Sequence, residues 1–175
     1  DYPTSEPQLQ LRLPTERYYE EEGRAELTPR DFGILMHRVF ENAATTDEIY
    51  TAIEAMTQDG VLDEKEAPRL RELVEKALAD PVTAEWFGGR WQVVRNENEI
   101  ILPGSGTTRR PDRVMTDGER AVVVDYKFGD RETARHRKQI REYLHLLRQM
   151  GHTRTEGYLW YVRLGRTERV EEKED

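Results

Sequence analysis

The sequence contains no cysteine, and this absence excludes several classes of protein at once. Disulfide frameworks, thiol nucleophiles, thiolate zinc sites and iron–sulfur clusters all depend on cysteine side chains. Long apolar runs are absent as well, since no segment approaches the roughly 20 apolar residues of a membrane span, and the mean hydropathy is -0.89. We therefore expect a soluble protein that has no membrane partner and no iron–sulfur cluster.

Charge is distributed unevenly along the 175 residues, which are enough for one domain with its own core. Residues 1–87 hold 9 Lys or Arg and 20 Asp or Glu, a net charge of -11, whereas residues 88–175 hold 18 and 15, a net charge of +3. This asymmetry indicates that the two halves face different surroundings. An acidic, solvated helical half beside a neutral half would look the same, so charge alone identifies no partner.

The first half of the chain predicts an extended arm at residues 1–27, followed by a helical part at residues 28–87. Thr28-Pro29 is typical of a helix start. Thr45 with Glu48 and Asp63 with Glu66 have the spacing of capping boxes. These signals predict three helices over residues 28–80, with Asp80-Pro81 closing the third.

The second half predicts strands, a long helix and a final strand, in an order typical of an α+β or α/β fold whose mixed sheet is flanked by helices. Asp117-Gly118 is a strong hairpin signal between two of the strands. We expect residues 88–163 to form a sheet–helix–strand core and residues 164–175 a charged tail. The predicted strands are 90–96, 99–103, 112–116, 121–127 and 157–164, and the predicted helix is 131–150.

The segment "VVVDYKFG" ends a buried strand with an acid and a base on one face. Because alternate side chains share a face, Asp125 and Lys127 lie about 7 Å apart on the same side of the sheet. The preceding strand of the hairpin begins near a second acid, Asp112. Asp112 lies five residues before Asp117, and Asp125 lies seven residues after Gly118. A small shift in the strand register accommodates this difference.

Two carboxylates and an ammonium at one sheet edge are costly to bury unless a multivalent ion lies between them. Hard oxygen ligands of this kind suit Mg²⁺, which keeps several waters and bridges to phosphate. Lys127 would then position a water for attack on phosphorus. The simpler alternative is a salt bridge between Asp125 and Lys127 that ends the strand.

Three motifs taken in order, "PDRVM", "VVVDYK" and "QIREY", resemble the RecB-type nucleases of the PD-(D/E)xK superfamily. The resemblance implies that Asp112 and Asp125 bind metal and that Lys127 supports the attacking water. Gln139 and Tyr143 would organise the site and contact DNA. The family also places a metal-binding histidine after a glycine on an upstream helix, and residues 33–37 fit that setting with His37. The backbone carbonyl of Tyr126 would join the metal ligands.

Some positions stay open within this resemblance. Arg109 stands where the family usually has a glycine, which puts the local turn in doubt more than the chemistry. Glu97 and Glu99 lie where some members of the superfamily supply another acid, and their role is open. Glu41 is expected to be a surface acid or a cap to an arginine. The long helix also carries four cations that would contact phosphates; these are Arg135, Arg137, Lys138 and Arg141.

The resemblance implies a metal-dependent DNA exonuclease domain of the kind found at the C-terminus of UvrD/Rep-type recombination helicases. It would use Mg²⁺, with Mn²⁺ as a substitute, act with a helicase motor on the same polypeptide in DNA double-strand-break repair, and be found in the bacterial cytoplasm. The first residue is Asp1 rather than methionine, which suggests an excised domain, although a processed or trimmed chain would look the same. The alternatives are a catalytically silent DNA-binding module of a helicase and a free-standing endonuclease.

Overall fold

The computed structural model of the protein describes residues 27–96, 100–101, 108–129 and 134–173. The predicted arm at residues 1–27 lies outside the described residues except for Leu27. Glu97 and Glu99 also lie outside them. No described helix is long and apolar enough to cross a lipid bilayer.

Five helices are described, four before the main hairpin and one after it. They are α1 (Pro29–Glu41), α2 (Thr46–Gln58), α3 (Ala67–Ala77), α4 (Pro81–Trp86) and α5 (Ala134–Gln149). The first two begin where the sequence predicts, because both predicted capping boxes form. Thr28 accepts a hydrogen bond from Asp31 N, and Thr45 accepts one from Glu48 N.

The third predicted helix is wrong in both of its boundaries. Asp63 accepts from Lys65 N instead of capping a helix, and α3 begins only at Ala67. A helix started at Asp63 would place Pro68 in its second turn, where the ring clashes with a backbone carbonyl; in the first turn of α3 it is tolerated. Asp80 does not close α3 but caps a fourth helix, α4, through Val82 N.

The remaining elements form a mixed five-stranded sheet and a separate two-stranded ribbon, which confirms the predicted fold class. The order in the large sheet is β1-β4-β5-β6-β7, and only β5 and β6 run parallel, joined by the α5 crossover. The ribbon pairs β2 with β3. The strands are β1 (Val93–Asn96), β2 (Ile100–Ile101), β3 (Thr108–Arg109), β4 (Arg113–Asp117), β5 (Arg120–Lys127), β6 (Arg154–Tyr161) and β7 (Arg166–Val170).

The β4–β5 hairpin turns one residue later than predicted, and the expected slip in register is absent. Asp117 pairs with Arg120, so the two turn residues are Gly118 and Glu119, with Gly118 at a φ of 58°. Counted from the middle of this turn, Asp112 and Asp125 are equally distant. The register therefore places the two aspartates opposite each other, one step beyond the last backbone pair of the hairpin.

The expected charged tail at residues 164–175 is wrong in its first part, where Arg166–Val170 form the edge strand β7. Gly165, at a φ of 60°, belongs to the turn that brings β7 back antiparallel to β6. The segment reads as a tail because charged residues are common on edge strands, where they oppose pairing with other chains. β6 also ends earlier than predicted, at Tyr161.

Each face of the sheet buries its own core. Val122, Val124 and Tyr126 of β5 pack with the α1–α4 helices, whereas Ala121 and Val123 pack with α5. The alternation along β5 places Asp125 and Lys127 on the α5 face. Helices therefore cover both faces of the sheet, and Asp125 and Lys127 lie at the C-terminal end of β5.

The close packing of α5 on β6 gives a stability prediction at Gly157. A Cβ at this position would overlap Ile140 Cγ2 well inside van der Waals contact. We expect Gly157→Ala to lower the free energy of unfolding by about 1–3 kcal/mol, because the core has no room for the added methyl. Urea denaturation measures this change.

Two further variants test the cause. Gly129→Ala should be nearly neutral, because among the described residues no atom outside its chain neighbours lies within 4 Å of a Cβ built there. Ile140→Ala removes the overlapping methyl, so the two core substitutions should be less than additive in the double variant. Full additivity would contradict the proposed steric cause.

Candidate active site

Two aspartates are tied together by hydrogen bonds at the end of the β4–β5 hairpin. The Asp112 backbone N–H donates to Asp125 Oδ1 at 3.1 Å. In the other direction, the Tyr126 N–H donates to Asp112 Oδ2 at 2.7 Å. Hydrogen bonds to side chains thus continue the hairpin beyond its last backbone pair, and they fix two carboxylates side by side.

The electrostatics of Asp125 are those of a buried acid next to a second acid. The residue is only 3% exposed. Burial first, and the charge of Asp112 second, raise the pKa of Asp125 to about 6, although the Asp112 N–H and the charges of Lys127 and His37 oppose the rise. A cation placed between the carboxylates would remove this cost.

Lys127 is the last residue of β5 and lies on the same face as Asp125. It is half-buried, and its carbonyl accepts from Val162 N at 3.0 Å, which fixes the backbone at the strand end. Within the described ranges its ammonium makes no hydrogen bond or ion pair. The structure therefore presents the charge of Lys127 beside the acid pair without a protein partner there.

His37 reaches the acid pair from α1. Its Nε2 lies 3.3 Å from Asp112 Oδ1, and its ring contacts Tyr126 and Phe128 edge-on, with centroids 5.9 and 5.8 Å apart. Gly33, one turn earlier, permits this approach, since a Cβ there would lie 3.2 Å from Phe128 Cβ. The glycine-to-histidine spacing seen in the sequence thus has a packing reason.

Glu41, which the sequence predicts to be a surface acid or a cap to an arginine, is a neighbour of the site. Its Oε2 lies 3.6 Å from His37 Nδ1, and 37% of its side chain is exposed. A carboxylate on one ring nitrogen of a histidine fixes the orientation of the other. The signal available in the sequence was the i, i+4 spacing of the two residues on α1.

Gln139 and Tyr143 form a pair on α5 but have different surroundings. Gln139 Nε2 donates to Tyr143 Oη at 3.0 Å, and Tyr143 is fully buried in the core between α5 and the sheet. The Tyr143 side chain is inaccessible in this structure, and its contact with DNA stays a prediction. Gln139 is partly exposed and forms no hydrogen bond with Asp112, Asp125 or Lys127 in the described chain.

The four cations of α5 also divide into two pairs. Arg137 forms an ion pair with Glu168 of β7, and Arg141 Nε donates to the Glu171 carbonyl at 3.1 Å. These two arginines hold the C-terminal strand against α5. Arg135 and Lys138 are exposed, and no described residue pairs with either side chain.

The donor atoms of the site suit a divalent cation held by two carboxylates. The described residues contain no group of three or more His, Asp or Glu side chains set to hold a metal ion. Mg²⁺ does not need one, since it is commonly bound by one or two carboxylates, with water and phosphate as the other ligands. Asp112 and Asp125 fit this pattern, and their mutual repulsion is the cost that such an ion offsets.

The raised pKa of Asp125 gives a prediction for the metal-free protein. The folded state binds the Asp125 proton more tightly than the unfolded state, whose value is 3.8. The stability that this proton confers is present below about pH 4 and is lost as the pH rises through about 6. A rise from 3.8 to about 6 corresponds to roughly 3 kcal/mol.

Asp125→Asn should therefore equal wild type in free energy of unfolding near pH 4, and exceed it by up to roughly 3 kcal/mol near pH 7.5. Urea denaturation in EDTA at several pH values measures the difference. A difference that stays constant across this range would contradict the raised pKa.

Comparison with known proteins agrees with this geometry. The sequence profile described as the PD-(D/E)XK nuclease superfamily matches residues 8–175. Comparison with curated proteins finds no significant match. Nucleases of this superfamily usually use divalent metal ions, in keeping with a pair of aspartates followed by a lysine. The match covers nearly the whole chain, which therefore belongs to the PD-(D/E)XK nuclease superfamily.

Proposed function

We propose that this domain is a Mg²⁺-dependent deoxyribonuclease of the RecB/AddA type and that Asp112, Asp125 and Lys127 perform its chemistry. The observation that supports this most directly is the hydrogen-bonded aspartate pair with the Lys127 charge on the same face of the strand end. A salt bridge that merely ended the strand would pair Asp125 with Lys127. Instead, Asp125 accepts from a backbone N–H, and Lys127 has no described partner.

Asp112 and Asp125 would hold the ion, together with the Tyr126 carbonyl. The Tyr126 N–H points towards Asp112. The N–H and C=O groups of one strand residue point to the same side. The Tyr126 carbonyl is therefore directed to the same edge as the two carboxylates.

His37 is proposed to complete the ligand set from α1. Its Nε2 lies 3.3 Å from Asp112 Oδ1, so the imidazole would hold a divalent ion together with the carboxylates. Glu41, next to the other ring nitrogen, would keep Nε2 directed at the site.

When bound, a divalent ion neutralises charge on the phosphate and lowers the pKa of a bound water. The side chains would then act around the scissile phosphate. Lys127 donates a hydrogen bond that orients the attacking water, whose oxygen forms the new bond to phosphorus as the bond to the leaving oxygen breaks. Gln139, held by Tyr143, would contact the substrate from α5.

DNA would approach along the part of α5 next to the site. Burial first, and then the charges of Lys127, Arg135 and Arg137, lower the pKa of His136, so this end of α5 lies in a positive field. Arg135 and Lys138 are exposed there, whereas Arg137 and Arg141 are engaged with β7 and the residue after it. We therefore assign phosphate contacts to Arg135 and Lys138.

The RecB/AddA assignment, the helicase motor on the same polypeptide, the role in double-strand-break repair and the bacterial cytoplasm are supported by the three sequence motifs. A helicase motor on the same polypeptide would move DNA into the site, where the exonuclease would hydrolyse it. The silent DNA-binding module and the free-standing endonuclease are the alternatives that the following experiment separates.

Digestion of linear single- and double-stranded DNA in Mg²⁺ tests the central assignment. We expect cleavage by wild type that stops in EDTA, and a loss of about 10²–10³-fold in Lys127→Ala, because a positioned donor to the reacting groups is removed. Lys76→Ala is the control. It removes an exposed lysine of α3, a helix that carries none of the proposed site residues, and should retain wild-type activity.

Each outcome separates the candidates. DNA binding without cleavage by any variant would favour the silent module. Cleavage of circular as well as linear DNA would favour an endonuclease. Full activity in Lys127→Ala would overturn the proposed role of this lysine.

The proposed DNA path predicts a change in salt dependence. The double variant Arg135→Gln, Lys138→Gln should lower the slope of log Kd against log salt by about 2, roughly 0.9 for each lost phosphate contact in a duplex. Fluorescence anisotropy with duplex DNA in EDTA measures this slope without cleavage. Arg154→Gln, at the opposite end of the sheet, is the control and should keep the wild-type slope.

A further inference from the structure

Arg113 is the most unusual buried side chain of the described chain, because it carries a charge at 0% exposure. Its NH1 donates to the Ala43 carbonyl at 2.7 Å and to Asn96 Oδ1 at 3.2 Å. Its NH2 donates to the carbonyls of Ala44 and Trp86 at 2.8 and 2.7 Å. One guanidinium therefore joins three segments of the chain to the start of β4.

No described carboxylate forms an ion pair with this guanidinium. Its charge is met by carbonyls, where Trp86 ends α4 and Ala43 and Ala44 follow the C-cap of α1. The carboxyl ends of helices attract cations, since unpaired carbonyls and the helix dipole are negative there. The Phe87 ring adds a cation–π contact, with the guanidinium carbon 4.0 Å from the ring centroid.

A buried charge without a carboxylate partner is costly in stability, and an apolar residue would fill the same space with less penalty. Its position in the chain suggests what it contributes. Arg113 directly follows Asp112, and its backbone forms the last pair of the hairpin, opposite Val124, next to Asp125. Fixing Arg113 therefore fixes the backbone of the first aspartate relative to the second.

The segments that Arg113 joins also carry the rest of the site. α1, whose end it binds through Ala43, presents His37 to Asp112. Asn96 both accepts from Arg113 and donates to the Ala43 carbonyl at 3.3 Å, so β1 shares the same junction. A shift of the guanidinium would move Asp112 and His37 relative to each other.

We propose that Arg113 is the positioning residue of the acid pair: by joining α1, α4 and β1 to β4, it sets Asp112 against Asp125 and His37 and so sets the affinity of the site for a divalent cation. This inference rests on the proposed metal-dependent function. It adds a residue that lies outside the metal-binding set. Lysine cannot replace it, because an ammonium lacks the planar fork that reaches carbonyls in several directions.

The test compares Arg113→Lys with Arg120→Lys, a matched substitution at the other end of the sheet. Arg120 belongs to a network with Glu85 and Glu156 and stacks on Trp91, so its loss perturbs the fold away from the site. Binding of Mn²⁺ is measured by electron paramagnetic resonance without DNA, and circular dichroism confirms that each variant is folded.

We expect Arg113→Lys to weaken Mn²⁺ binding by about 10–100-fold, as loss of a group that orients metal ligands does. The Mn²⁺ affinity of Arg120→Lys should stay within about twofold of the wild-type affinity, which is small beside a 10–100-fold loss. Equal weakening in both folded variants would make Arg113 merely structural and would overturn the inference. Wild-type affinity in Arg113→Lys would overturn it as well.

If Arg113→Lys does not fold, Asn96→Ala decides the question, since it removes one acceptor of the guanidinium and leaves the charge in place. Mn²⁺ binding about tenfold weaker supports the inference, and unchanged binding rejects it. Absence of Mn²⁺ binding in wild type is a different result. It would reject the proposed metal site itself, and the role of Arg113 with it.

Discussion

The two hydrogen bonds that cross between Asp112 and the β5 strand are the constraint on which the site depends. They bring two carboxylates together one step beyond the last backbone pair of the hairpin, and burial makes that arrangement costly. Contacts from the surrounding elements hold the two carboxylates in place. Gly33 lets α1 come close enough for His37 to contact Asp112, and Arg113 fixes the backbone from the other side. A divalent cation bound between the two carboxylates, as proposed, would offset this cost.

The same sheet separates two surfaces of opposite character. The α1–α4 side comes from residues 27–87, which hold 6 Lys or Arg and 13 Asp or Glu, a net charge of -7, whereas α5 holds 5 Lys or Arg and 1 Glu, a net charge of +4. A polyanion would be repelled by the first side and attracted to the second. Because β5 ends between the two, α1 can supply His37 while α5 supplies Gln139 and exposed cations. The charge asymmetry thus matches an approach of DNA from the α5 side.

Strand alternation places Asp125 and Lys127 on one face, and this was predictable from the sequence. The hairpin register was not, because the turn residues are Gly118 and Glu119 rather than Asp117 and Gly118. The proximity of His37 to Asp112 came from the resemblance and could not come from periodicity, which says nothing about how α1 sits on the sheet. Residues 164–175 were misread because an edge strand is as polar as a tail. The roles of Arg113 and Tyr143 depend on tertiary burial, which residue type does not reveal.

The most direct test of the site is to locate a paramagnetic ion on the folded protein by NMR. With substoichiometric Mn²⁺, the amide signals of Asp112, Tyr126 and Lys127 should broaden first, because the ion would lie between the carboxylates of the hairpin end. Signals of the acidic α2–α3 surface should persist at the same ratio. Broadening that began on α2 and α3, with the hairpin end unaffected, would contradict a metal site at Asp112 and Asp125.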